Sequence, residues 1–178
     1  MLKLFDEMPV LRKGDLVLRP LKPSDADALQ AFVRDDRIYK YLPTFLAERK
    51  YKDASMAIDY INGALFEKKE SLILGIFDDG KFAGLAEFYS YKEKMRKVSI
   101  GYRLAYDQWG KGIAGWVVAL MVDYLYGKTN IEIITASTMA DNIASKKVLS
   151  KNGFAMTASE VPEDWGYKTL TLADKWFR

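Results

Sequence analysis

The sequence predicts a mixed α/β domain with an antiparallel middle. Two observations carry this. Apolar, alternating segments from Leu72 to Leu104 are joined by an Asp79-Gly80 hairpin signal and a short charged turn. They are followed by the most regular helical pattern in the chain, and an early pair of helical patterns precedes them. Taken in order, Leu16 to Leu21 alternates as a short strand ending at Pro20. Ser24, preceded by Pro23, is positioned to cap a helix, with Asp27 at the capping-box distance. Leu29, Phe32 and Val33 give that helix its apolar stripe. Asp35 to Phe45 is irregular and aromatic. Ala54, Ile58, Ile61 and Leu65 predict a second helix over Lys52 to Lys68. Strands follow at Leu72–Phe77, Lys81–Tyr91 and, after the turn Lys92–Lys97, at Val98–Leu104. Ile113, Trp116, Val117, Leu120, Met121, Tyr124 and Leu125 predict a helix over Gly110–Tyr126, ended by Gly127. Ile131–Ser137 is β-branched. Asp141 or Asn142 caps a short helix reaching Asn152, and Phe154–Ser159 and Tyr167–Ala173 are the last strands.

The chain has 178 residues, enough for one domain with a sizeable core. There is no repeat, linker or low-complexity tract, so residues 1–178 read as a single domain. A formal charge of +3 without a basic run gives no reason to expect direct nucleic-acid binding, yet it suits an anionic ligand. No segment has membrane-spanning length, and Met1–Lys13 lacks a signal-peptide core, so a cytoplasmic location is expected. Cysteine and histidine are both absent. That excludes disulfides, thiolate metal sites, cysteine nucleophiles and histidine-dependent triads, and no metal is expected. Chemistry falls to carboxylates, Tyr, Ser, Lys and the backbone.

Gly110-Lys111-Gly112-Ile113-Ala114 lies after a strand and opens the longest helix. The first N–H groups of a helix lack intrahelical partners and face outward at the positive end of its dipole. A diphosphate can accept from several at once. Glycines at 110 and 112 let it approach, Ala114 stays small, and Lys111 adds a charge. Gly110, Gly112 and Gly115 also match the dinucleotide fingerprint, with Glu132 about twenty residues on. That reading fails because Glu132 begins its strand and too few βα units remain to complete the fold. A P-loop lacks its Gly-Lys-Ser/Thr.

Trp109-Gly110-Lys111-Gly112-Ile113-Ala114 resembles the coenzyme A signature of the GNAT superfamily of N-acetyltransferases. Ile100-Gly101-Tyr102-Arg103-Leu104 resembles the strand before it. Asn142-Ile143-Ala144-Ser145, Val148-Leu149 and Asn152-Gly153-Phe154 resemble the helix and strand after it. Leu18-Arg19-Pro20-Leu21 with Ser24-Asp25-Ala26 resembles the opening strand and helix. The resemblance runs from Leu16 to Ala173 and is nearest to the branch of ribosomal-protein N-terminal acetyltransferases. It implies a largely antiparallel central sheet of about six or seven strands flanked by about four helices. It also implies acetyl-CoA as co-substrate, a primary-amine acceptor (a protein N-terminus or a small molecule), and a monomer or homodimer.

By the same resemblance, backbone groups of Tyr102, Arg103 and Leu104 would meet the pantetheine arm. Gly110, Lys111, Gly112, Ile113 and Ala114 would hold the diphosphate. Asn142 would bond the cofactor near its reactive end, with Ser145 one turn along. Lys146 either reaches the adenosine phosphate or is solvated. The sequence departs from the family at two places. Leu149 stands where many members carry a tyrosine acid, and Ser99 where many carry a glutamate. Ser145 is the replacement acid, or else a helix-surface hydroxyl. Glu87 is the candidate base, or else a solvent-facing strand residue. Tyr39, Tyr41, Phe45, Phe88, Tyr89 and Tyr91 are candidate walls of an acceptor groove, and Asp35, Asp36 and Glu87 candidate attractors of a cationic amine. Trp109 and Trp116 read as packing residues. The rival function is a non-catalytic acetyl-CoA-binding or sensing module.

Overall fold

The computed structural model describes residues 1–178 and forms one eight-stranded sheet. The elements are β1 (Leu11–Lys13), β2 (Leu16–Arg19), α1 (Ala26–Val33), α2 (Ala54–Tyr60), β3 (Ser71–Asp78), β4 (Lys81–Lys92), β5 (Lys97–Leu104), α3 (Ile113–Lys128), β6 (Ile133–Met139), α4 (Ile143–Lys151), β7 (Ala155–Glu163) and β8 (Thr171–Phe177). The strand order is β1-β2-β3-β4-β5-β6-β8-β7. Every neighbouring pair is antiparallel except β5 and β6, whose connection carries α3. The central meander of β3, β4 and β5 and the four α-helices agree with the sequence reading. No helix is long and apolar enough to cross a membrane.

Strand alternation splits the core into two layers. Leu72, Leu74, Ala86, Phe88, Val98 and Ile100 face α3, whose Val117, Val118 and Met121 are buried against them. Ile73 and Leu85 face the other way, onto Leu29 and Phe32 of α1 and Ala57 and Ile58 of α2. β3 is buried on both faces, which is why it reads as a continuous apolar run.

The structure differs from the sequence reading in detail. The sheet gains β1, a strand too short to show alternation. Ser24 and Asp27 do not build the first cap. Asp25 does: its carboxylate accepts from the Lys22 N–H at 2.7 Å and from Arg19 at 2.8 and 3.0 Å. The Lys52–Lys68 helix starts at Ala54, capped by Asp53, whose carboxylate accepts from the Ser55 N–H at 2.7 Å. After Tyr60 it becomes a π turn over Ile61–Leu65, with Gly63 outside helical geometry. α3 continues through Gly127 to Lys128. The last strand is Thr171–Phe177 rather than Tyr167–Ala173, since Trp176 is a buried anchor while the Tyr167 hydroxyl donates to the Leu42 carbonyl at 2.6 Å.

Candidate active site

The two parallel strands stay paired only briefly. Their register covers Lys97–Ser99 against Ile133–Thr135, and β6 then pairs onward with β8 through Met139. Beyond Ser99 the β6-facing edge of β5, including Tyr102, Arg103 and Leu104, has no strand partner. The sheet therefore opens as a fork, with unpaired backbone groups along one edge. At the end of the paired stretch, the Ser99 and Thr135 hydroxyls bond at 2.8 Å. Ser99 stitches the fork at the position where the family often has a glutamate.

A cleft of about 1160 Å³ runs through this fork. Tyr102, Asn142, Ser145 and Leu149 line it on the α4 side, and Glu87, Tyr89 and Arg103 on the other. Asn142 caps α4, its carboxamide oxygen accepting from the Ser145 N–H at 3.2 Å. The Ser145 hydroxyl lies 3.2 Å from the Tyr102 phenol oxygen. Leu149 is buried and carries no acid function. The Lys146 amine is bound by the Asp174 carboxylate at 2.6 Å and donates to the Ala140 carbonyl at 3.0 Å. It ties α4 to β8, so neither sequence reading of Lys146 describes it.

The phosphate-type turn lies at the start of α3. Gly110 and Gly112 adopt φ of +75° and +80°, and a Cβ at either would meet nothing within 4 Å. These glycines serve the left-handed backbone as well as access. None of the N–H groups from Gly110 to Ala114 donates to a backbone carbonyl or side chain outside the turn. Ile113 is buried beneath, and the exposed Lys111 amine bonds the Gln108 side chain at 3.2 Å. A row of free donors at a sixteen-residue helix, beside an open strand edge, fits a diphosphate joined to an extended arm.

On the opposite face a buried ion network forms the floor. Arg103 donates through Nε and Nη2 to both oxygens of Glu48, at 2.6 Å each, and through Nη1 to Glu87 at 2.7 Å. The Ser71 hydroxyl also donates to Glu87. Burial pushes the Arg103 guanidinium down, but Glu48 and then Glu87 more than reverse this and hold it well above its ordinary value. Two carboxylates on one guanidinium leave the floor with one net negative charge. Of these three only Glu87 shows appreciable exposure, its side chain being 15% accessible. Tyr89, two residues along the same face, has its phenol pushed up first by burial and then by Glu87. Neither Glu48 nor the ion-pairing of Arg103 was signalled in sequence, because they join residues 55 apart.

The aromatic candidates divide. Tyr41, Phe45 and Tyr89 line the cleft. Tyr39 is buried, its hydroxyl 3.4 Å from Glu48. Phe88 alternates into the α3 core. Ser90 takes φ +52° at a register shift, and this turns Tyr91 toward Phe5 on the same side. Asp35 and Asp36 do not themselves line the cleft: Asp35 pairs with Arg37, and Asp36 with Arg49, which does line it. Trp116 is not a core residue: it is 53% exposed, with the Lys13 amine 3.7 Å above its ring. The apolar positions of α3 are too many for one stripe, and Trp116 falls at its margin. Trp109 is also exposed, its indole N–H donating to the Leu104 carbonyl at 3.0 Å. Glu132 precedes β6 and pairs with Arg96 at 2.7 Å, so it takes no part in a nucleotide site.

Comparison with known proteins agrees with this geometry. The sequence profile of the acetyltransferase (GNAT) domain family matches residues 15–155. A probable N-acetyltransferase of Bacillus subtilis, YjcK, is 35% identical over 153 residues, covering 82% of this chain and 83% of that protein. The uncharacterized N-acetyltransferase YoaA of the same organism is 29% identical over 148 residues, covering 82% of each. Among solved structures, the ribosomal L7/L12 alpha-N-protein acetyltransferase RimL in complex with coenzyme A superposes with a TM-score of 0.82 at 18% identity, over 96% of this chain and 97% of that one. With the forked sheet, the free-donor turn and the matching family profile together, the chain belongs to the GNAT family of acetyl-CoA-dependent N-acetyltransferases.

Proposed function

We propose that this enzyme acetylates the α-amine of a peptide or protein N-terminus, by direct attack of the amine on acetyl-CoA in a ternary complex. One observation carries the choice of acceptor. Glu87, our candidate base on the cleft floor, already accepts hydrogen bonds from Arg103 and Ser71. With two donors already on it, the carboxylate has fewer lone pairs left to take a proton from an amine. Such a site favours an amine that loses its proton easily. An α-amine has an ordinary pKa of about 8 and a lysine amine about 10.4, a difference worth roughly 3 kcal/mol of deprotonation. The RimL protein, which shares the fold, acts on a ribosomal-protein α-amine, and this supports the same choice.

Acetyl-CoA supplies a carbonyl activated by a thiol leaving group. In our reading the N–H groups of Gly110, Lys111, Gly112, Ile113 and Ala114 hold its diphosphate, and the free edge at Tyr102–Leu104 holds its arm. Asn142 orients the region near the thioester. The amine nitrogen bonds to the carbonyl carbon as the C–S bond breaks. Ser145 gives a proton to the departing sulfur, and Glu87 receives the proton shed by the amine. A departing thiol with a pKa of about 8.5 needs only modest acid assistance. Positioning then supplies most of the rate.

Thiol release with an N-terminally free peptide, compared with the same peptide blocked at its N-terminus and bearing an internal lysine, tests this. The free α-amine is expected to be the faster acceptor, with intersecting rather than parallel initial-rate lines. Faster turnover of the lysine peptide would overturn the acceptor assignment, and a ping-pong pattern would overturn direct attack.

A further inference from the structure

The α4 side of the cleft contains a second hydroxyl that the reading above leaves unused. Tyr102 lies on β5 beyond the end of the parallel register, on the face that packs against the α3 core. Its phenol oxygen is 3.2 Å from the Ser145 hydroxyl. Ser145 is held from its other side as well, since its N–H is bound by Asn142. Its hydroxyl has no other protein partner within hydrogen-bonding distance. A lone serine hydroxyl rotates freely and has one proton to give. The two-hydroxyl contact fixes that rotor.

We propose that Tyr102 is a positioning residue for acetyl transfer: its phenol donates to the Ser145 oxygen and so directs the serine proton toward the departing sulfur. This rests on Ser145 acting as the acid in the proposed function. A phenol is the better donor of the pair, because its ordinary pKa is about 10 and an aliphatic hydroxyl does not titrate in this range. Burial pushes the Tyr102 phenol further up, only partly offset by Ser145, so it stays protonated at neutral pH. The proton count closes simply. Ser145 passes its proton to sulfur as the C–S bond breaks, the phenol hydrogen bond stabilises the negative charge arising on the serine oxygen, and the proton that Glu87 takes from the amine is returned to the serine through solvent. The tyrosine hydroxyl absent at Leu149 is thus supplied from a strand. It acts through a serine one turn earlier on the same helix face.

The test is a double-mutant cycle with Tyr102→Phe and Ser145→Ala, reading steady-state thiol release with an N-terminally free peptide. Tyr102→Phe keeps the ring and its packing. It is expected to lower kcat about tenfold while KM for acetyl-CoA stays within about twofold. In the Ser145→Ala background the same change is expected to have no further effect on kcat. Wild-type turnover by Tyr102→Phe would overturn the proposal. So would an equal loss in both backgrounds, which marks a structural role, including any loss arising from a lower melting temperature. If the unmodified enzyme releases no thiol with any peptide or small amine, the proposed function itself fails, a result separate from either of these.

Discussion

At Gly112 the backbone sits at φ +80° with open space where a Cβ would stand. Two separate costs follow from any side chain there. The left-handed backbone costs an L-residue about 1–2 kcal/mol, and the side chain occupies the space in front of the free N–H groups. Gly112→Glu adds a like charge facing the diphosphate. Calorimetry is expected to detect no acetyl-CoA binding by this variant, while circular dichroism reports a folded protein with a slightly lower melting temperature. Retained affinity would remove the turn from the cofactor site. The glycines of this turn were legible in sequence because their spacing from the helix is local. Glu87 was named as a candidate base from its place in the strand Lys81–Tyr91, but its partners were not legible. Arg103 and Ser71 reach it across two different strand pairings, and Glu48 completes the network from a single 3-10 turn, Ala47–Arg49, too short to announce itself by periodicity. Trp116 failed for a related reason. Periodicity states that a residue is apolar, whereas exposure depends on how much of a helix its neighbours cover.

α4 holds the proposed acid, so its placement sets the geometry of the site. Three contacts fix it: the Asn142 cap on the Ser145 N–H, the Lys146–Asp174 ion pair to β8, and the packing of Leu149 in the core. Asn142→Ala removes the first. Loss of an N-cap costs about 1 kcal/mol, which a shift in the urea midpoint at unchanged slope will report. Because the cap bonds the backbone of the very residue we assign as acid, kcat is expected to fall more than tenfold, while Asn142→Ser, which restores an acceptor oxygen, recovers stability. A stability loss with unchanged kcat would separate capping from catalysis. Elements of this kind were read well where local signals agree, as in β3, β4, β5, α3 and α4. They were read poorly where tertiary contacts decide. β1 exists only by pairing with β2, α2 gives way to a π turn at Ile61, and β8 begins four residues later than its apolar pattern implied.

Across the whole molecule, the absence of histidine and cysteine makes a kinetic argument possible. No side chain in the chain has an ordinary pKa between 5 and 8. The Tyr102 and Tyr89 phenols are pushed upward by burial, away from neutrality. Asp25 and Asp174 are also displaced from this range. Burial pushes each up, but the bonds from Arg19 to Asp25 and from Lys146 to Asp174 outweigh it and hold both carboxyls below their ordinary value. A depressed folded pKa contributes stability that is complete above the unfolded value of about 3.9 and is lost as pH falls toward the folded one. Folding is therefore expected to be insensitive to pH between 5 and 8. Any titration seen in kcat/KM over the neutral range then belongs to the acceptor, whose neutral amine is the nucleophile. The rate must rise with pH, with a midpoint that follows the amine: near 8 for an α-amine and about two units higher for a lysine amine. Measuring kcat/KM from pH 6 to 10 with two peptide acceptors of different α-amine pKa checks this. A midpoint that stays fixed when the acceptor changes would assign the titration to a protein group and would overturn the assignment to the acceptor.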